Sequence, residues 1–194
     1  MNNKKKIILL VVAFVLTIAA SVGVTLAWLT AESSEVTNTF APSTIDITLT
    51  ETGMTNNEKS FLMVPGHVIE KDPTVTVKAN SEDCFVFIKV TKTNGPDYFL
   101  EYNIADGWTA LSGVDGVYYK EVTKKSSDQP FSILDGDMVT VKQEVTKAQM
   151  KSLESLGMYP KLTFTAYACQ RYQSAGIEFN VADAWQQART SQSN

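Results

Sequence analysis

Hydrophobic positions along the chain follow three rhythms, and each predicts a different element. Lys4, Lys5 and Lys6 lead into an apolar run of 14 residues, Ile7 to Ala20, which fits the charged start and the ~7 to 15 apolar residues of a secretory signal. A small-residue stretch, SVGVTLA, follows it. Thr25-Leu26-Ala27 has small side chains at the first and third positions of an A-x-A-like site, so the expected cleavage falls between Ala27 and Trp28. The alternative is retention as a membrane anchor, because the 25 residues from Ile7 through Ala31 carry no charge and are long enough for a bilayer core of ~30 Å. Gly, Ser and Thr thin the apolar run after Ala20, which favours cleavage. In either case the lysines stay inside and the rest is exported.

The second rhythm is alternation. After the polar segment Glu32 to Asn38, the residues Ile45, Ile47 and Leu49 alternate with Asp46, Thr48 and Thr50, the mark of a half-buried strand. Thr52 to Lys59 reads as a loop, Phe61 to Val64 as a short apolar run broken by Pro65-Gly66, and Thr74 to Val77 as a further strand. Cys84 to Val90 is apolar on both faces and predicts a central strand covered on two sides. Tyr98 to Ile104, Val117 to Val122, Met138 to Val145 and Lys161 to Cys169 complete the strands, with turns at Asn94 to Asp97, Asp106-Gly107, Asp115-Gly116 and Asp135-Gly136-Asp137.

The third rhythm is helical. Thr146 and Gln149 form a capping-box pattern, Met150, Leu153 and Leu156 recur every third residue, and Gly157 can close the end. A second helical turn or two is expected in VADAWQQAR, anchored by Trp185. Together these elements predict an all-β domain with minor α: an antiparallel β-sandwich or jelly roll with one or two short helices, preceded by a signal helix. The expected organisation is a signal over residues 1–27, a flexible arm over 28–42 and one domain over 43–194.

Composition narrows the partners. Of 17 basic residues only the three lysines precede Trp28 and no acid does, so the exported part carries 14 basic against 21 acidic residues, a net charge of -7. That excludes the basic face needed for nucleic acid and, after processing, for an anionic membrane. Cys84 and Cys169 are the only cysteines. Outside the cytoplasm a disulfide between them can persist, and the alternative is two buried thiols.

Catalytic chemistry finds little material. His67 is the only histidine, so the paired histidines of an H-E-x-x-H zinc site are missing, and a solvated imidazole in the Pro65-Gly66 turn is the expected state. No G-x-S-x-G elbow, P-loop or G-x-G-x-x-G occurs. A thiol nucleophile built from Cys84 or Cys169 with His67 needs an exposed, electropositive cysteine, whereas both lie in apolar strand-like runs. The Asp-Gly pairs lack the ordered series of oxygen ligands of an EF-hand. No catalytic residue, metal or cofactor is therefore expected.

The lysine-led signal running into TLAWLTAESSEVTNTFAPSTIDITLTE resembles the N-terminus of the TasA/camelysin (CalY) family of secreted Gram-positive proteins, through Ala27, Trp28, Asn38, Phe40 and the alternation from Ile45 to Leu49. VPGHVIEKDPTVTVKANSEDCFVFIKV and LTFTAYACQ are similar to core strands of that family. The resemblance implies processing by a dedicated SipW-type signal peptidase, membrane contact only before processing, and a jelly-roll subunit of biofilm-matrix fibres or cell-surface fibres. It also implies assembly with copies of itself or related matrix subunits by donor-strand exchange, in which an N-terminal arm adds as a strand to the next subunit. Val36, Phe40, Ile45 and Ile47 are the residues expected to fill pockets there. A simpler reading keeps Ile45 to Leu49 as the first strand of its own sandwich. Two alternatives come from other classes: a metalloprotease, as camelysin-like members have been labelled, and a monomeric membrane-tethered binding domain.

Overall fold

Ten consecutive residues, Cys84–Thr93, form the strand around which the other layers are placed, and its side chains explain why. Cys84, Val86 and Ile88 point to one face and Phe85 and Phe87 to the other, all of them buried. Neither face can be left to water, so the strand needs a layer on each side. The computed structural model describes residues 44–54 and 60–191, all within the unit Pro42–Asn194.

In chain order the elements are β1 (Ile47–Thr50), β2 (Val68–Glu70), β3 (Thr74–Val77), β4 (Cys84–Thr93), β5 (Leu100–Glu101), β6 (Thr109–Ala110), β7 (Val117–Val122), β8 (Gln129–Ser132), β9 (Met138–Val141), α1 (Lys147–Leu156), β10 (Lys161–Gln170), β11 (Tyr172–Ser174), β12 (Ile177–Glu178) and α2 (Val181–Ser191). All pairings are antiparallel, in the orders β10-β4-β7-β6, β1-β3-β8 and β2-β9-β5, with β11-β12 as a separate hairpin. The all-β class with minor α is therefore observed.

The three layers follow from β4. Its Val86 and Ile88 side meets Val75 and Val77 of β3, Val122 of β7 and Ile133, with Ile45 and Ile47 at the rim. Its Phe85 and Phe87 side is covered by Ala184, Trp185 and Ala188 of α2, whose spacing of one helical turn puts them on one stripe. Trp185 sits 5.4 Å from the Phe87 ring and edge-on to Tyr167 at 5.1 Å between centroids. Burying each large side chain contributes about 1.5–3 kcal/mol, so α2 is an integral layer. It runs for 11 residues, longer than the turn or two expected from VADAWQQAR.

Other departures have local causes. Tyr98 to Ile104 was expected to be one strand, but Pro96–Tyr98 forms a 3-10 turn after left-handed Gly95, leaving only β5 and a single bridge from Ile104 to Leu134. The strand expected over Met138 to Val145 stops at Val141, where the Val145 N–H folds back onto the Lys142 carbonyl at 3.3 Å. Phe61 to Val64 forms no strand, yet Phe61 and Met63 pack beside Ile69, Val141 and Val145 in a smaller core. Gly116 is required where β7 starts: at φ 68° its carbonyl accepts the Val90 N–H at 2.8 Å, and a Cβ there would meet the Val90 carbonyl oxygen at 2.7 Å. The capping box of α1 is present in full, with Thr146 and Gln149 exchanging bonds and Gly157 closing the helix in a left-handed conformation.

Two substitutions separate the helices. Trp185→Ala is expected to cost about 3–5 kcal/mol and to shift the whole urea transition. Thr146→Ala removes one cap, costs about 1 kcal/mol, and is expected to raise amide exchange within α1 while β4 amides keep their protection, since α1 buries no residue fully.

Candidate functional site: the start of β1 and the sheet edges

The arm expected over residues 28–42 lies outside the described residues, and β1 is the first strand after it in the chain, so the start of β1 is the nearest described feature. Ser81, 4% exposed, is the fixing group: its hydroxyl accepts the Asp46 N–H at 3.1 Å and donates to the Asp46 carbonyl at 3.3 Å. The Glu82 N–H reaches the Thr44 carbonyl at 3.2 Å and the Lys78 N–H the Asp46 carbonyl at 2.9 Å. From there β1 pairs with β3, Ile47 opposite Val77 and Leu49 opposite Val75. Ile45 and Ile47 are half-buried against the core of their own domain. The simpler reading of this segment is the arrangement in the structure. Ala27, Trp28, Val36 and Phe40 lie outside the described residues.

The far end of β1 is tied just as firmly. Lys71, in the turn between β2 and β3, donates from Nζ to Glu51 Oε2 at 2.7 Å, with side chains 12% and 4% exposed. The Thr52 N–H bonds Asp72 Oδ1 at 3.0 Å. Phe61 and Phe164 flank the ammonium at 5.7 and 5.4 Å from their ring centroids, a cation–π setting. Sequence reasoning missed Ser81, Glu51 and Lys71. No local signal marks them, because burial of a serine or an acid is set by residues distant in the chain.

Open sheet edges are where another strand can add. Among the described residues, β6 has two residues and β5 two, β2 three, and β1 and β8 four each. Pro130 further blunts β8, since it has no N–H to donate. β10 is different: ten residues long, it pairs with β4 along its full length, from Lys161 opposite Thr93 to Gln170 opposite Cys84, and with no other described strand. Phe164 and Ala166 face the sandwich core, and Tyr167 and Cys169 face α2. β10 contacts β1 across the sandwich border, so the longest strand edge without a partner among the described residues lies beside β1.

The residues considered for chemistry are scattered. Cys84 and Cys169 are free and buried. Cys169 stands opposite Phe85 and shares its face, while Cys84 points to the other face of the same sheet, so a disulfide would require breaking the β4–β10 ladder. Burial, helped by the neighbouring Asp83 carboxylate and by Cys169, pushes the Cys84 thiol up to about 12, and burial raises that of Cys169 as well. These are the opposite of nucleophilic thiols. His67 is exposed in its turn, its backbone bonded to Val64 and Val141. No group of three or more His, Cys, Asp or Glu side chains gathers to hold a metal among the described residues. No helix among them is long and apolar enough to cross a membrane.

Raised thiol values have a signed consequence. The stabilisation linked to protonated Cys84 is present below pH 9.0 and is lost as pH rises toward about 12. At pH 8 the native protein is expected to resist alkylation by iodoacetamide, and denaturation is expected to expose both thiols. Rapid labelling of the native chain, or a disulfide seen by mass, would contradict the buried, unpaired arrangement.

Comparison with protein-family models, with curated proteins and with solved structures finds no match to this chain.

Proposed function

We propose that this chain is a secreted, non-enzymatic subunit of extracellular matrix or cell-surface fibres. In this reading signal cleavage after Ala27 creates a free arm beginning at Trp28, and the arm adds as a strand to a neighbouring copy. The observation that carries the proposal is β10, a ten-residue strand that pairs on one side only among the described strands and lies beside β1, the element that follows the expected arm. Backbone hydrogen bonds along β10 would supply affinity, and alternate side chains of the arm would supply register. Val36 and Phe40 are the pocket-filling residues. Ile45 and Ile47 are packed in their own domain, so this reading takes the exchanging segment to be the chain before Thr44.

Head-to-tail addition of this kind does not close on itself and therefore produces filaments. The resemblance of the N-terminal stretch to the TasA/camelysin family supports the same reading, together with processing by a SipW-type peptidase. The acidic balance beyond Ala27 is compatible with a solvated fibre surface.

Mass spectrometry of the exported protein is expected to find Trp28 as the first residue. Electron microscopy is expected to show filaments from protein beginning at Trp28 and none from protein beginning at Ser43. Filaments from both forms, or from neither under assembly conditions, would remove the arm from the mechanism.

A further inference from the structure

Glu51 is the least comfortable group in the described structure. Its side chain is 4% exposed, one carboxylate oxygen is held by Lys71 at 2.7 Å, and the other, Oε1, is buried with no hydrogen-bond partner. A buried carboxylate oxygen left unpaired is expensive, and a buried ion pair recovers little of its desolvation cost. Lys71 is itself only 12% exposed, and although the faces of Phe61 and Phe164 favour its ammonium, they offer the Glu51 carboxylate nothing.

We propose that Glu51 and Lys71 are the two halves of an intramolecular amide. In the reaction a bond forms between Lys71 Nζ and Glu51 Cδ, and one Cδ–O bond breaks. The departing oxygen takes two protons from the ammonium and leaves as water, so one ammonium and one carboxylate become one neutral amide with a single N–H. Nothing is oxidised or reduced, and no co-reactant is needed. The product replaces two buried charges and an orphaned oxygen with a group that tolerates an apolar site far better.

Positioning favours the step. The backbone on both sides is tied, with Thr52 N–H on Asp72 Oδ1 at 3.0 Å and Thr50 in register with Thr74, so the reacting groups are held together by the fold. Such fixed proximity reaches effective molarities of about 10⁵–10⁸ M in favourable cases. Two stretches 20 residues apart in sequence are joined, which ties the end of β1 covalently to the turn before β3. β1 then cannot leave its sheet, and only the chain before it remains free to exchange. The cross-link itself does not depend on the fibre reading, because its chemistry is complete within one subunit.

Intact-mass measurement of the folded full chain tests this directly. Native wild-type protein is expected to be lighter than its sequence by one water, and proteolysis should yield one branched peptide joining the Glu51 and Lys71 segments. Lys71→Arg, which keeps the charge and the hydrogen bond, should carry its full sequence mass. Chain kept in denaturant should not lose water, since the fold supplies the proximity. A native wild-type protein that retains its full mass after prolonged incubation, with no branched peptide, would overturn the amide and leave an ordinary ion pair. Loss of water in Lys71→Arg as well would also overturn it, by placing the condensation elsewhere. Filament formation is a separate readout and does not bear on either result.

Discussion

Double coverage of β4 is the constraint on which the rest of this structure depends. A strand that presents Phe85 and Phe87 on one side and Val86 and Ile88 on the other has no solvent face. One side recruits β3 and the sandwich core, and the other recruits α2 through Trp185. β10 is held in register along all ten residues of β4, and this places its other edge at the sandwich border. In the proposed assembly, packing around β4 thus sets the position of the edge that receives an additional strand.

The same border holds β1, and there polar interactions do the fixing. Ser81 anchors the start of β1 through both backbone groups of Asp46, and Glu51 with Lys71 anchors its end. Buried polar groups of this kind contribute little net stability compared with apolar burial, but they define geometry sharply because misplacement leaves them unsatisfied. A four-residue strand is thereby held in its own sheet at both ends. In the proposed assembly β1 stays in its own domain, and the chain before it is the part offered to a neighbour.

Elements whose signals are local were legible in the sequence. Thr146, Gln149 and Gly157 marked both ends of α1 correctly because caps act within one turn. Val117 to Val122 matched β7 to the residue, and the two-faced apolar run from Cys84 announced β4. β8 was hidden because Pro130 argues against a strand unless the strand lies at an edge, and being an edge is a property of the assembled sheet. β11 and β12, exposed along their length, carry no apolar rhythm to detect. The opposite facing of Cys84 and Cys169 followed from a register that no spacing argument supplies. Ser81, Glu51 and Lys71 were illegible for the same reason, since each owes its role to a partner 20 or 35 residues away.

The central claim is that assembly runs through strand addition at β10. A cryo-electron microscopy map of filaments grown from the processed protein decides it at the level of single strands. The account predicts an extra strand paired with β10 along Lys161–Gln170 and traceable to residues 28–42 of the adjacent subunit. Filaments in which the outer edge of β10 is bare, with subunits joined through other surfaces, would contradict it.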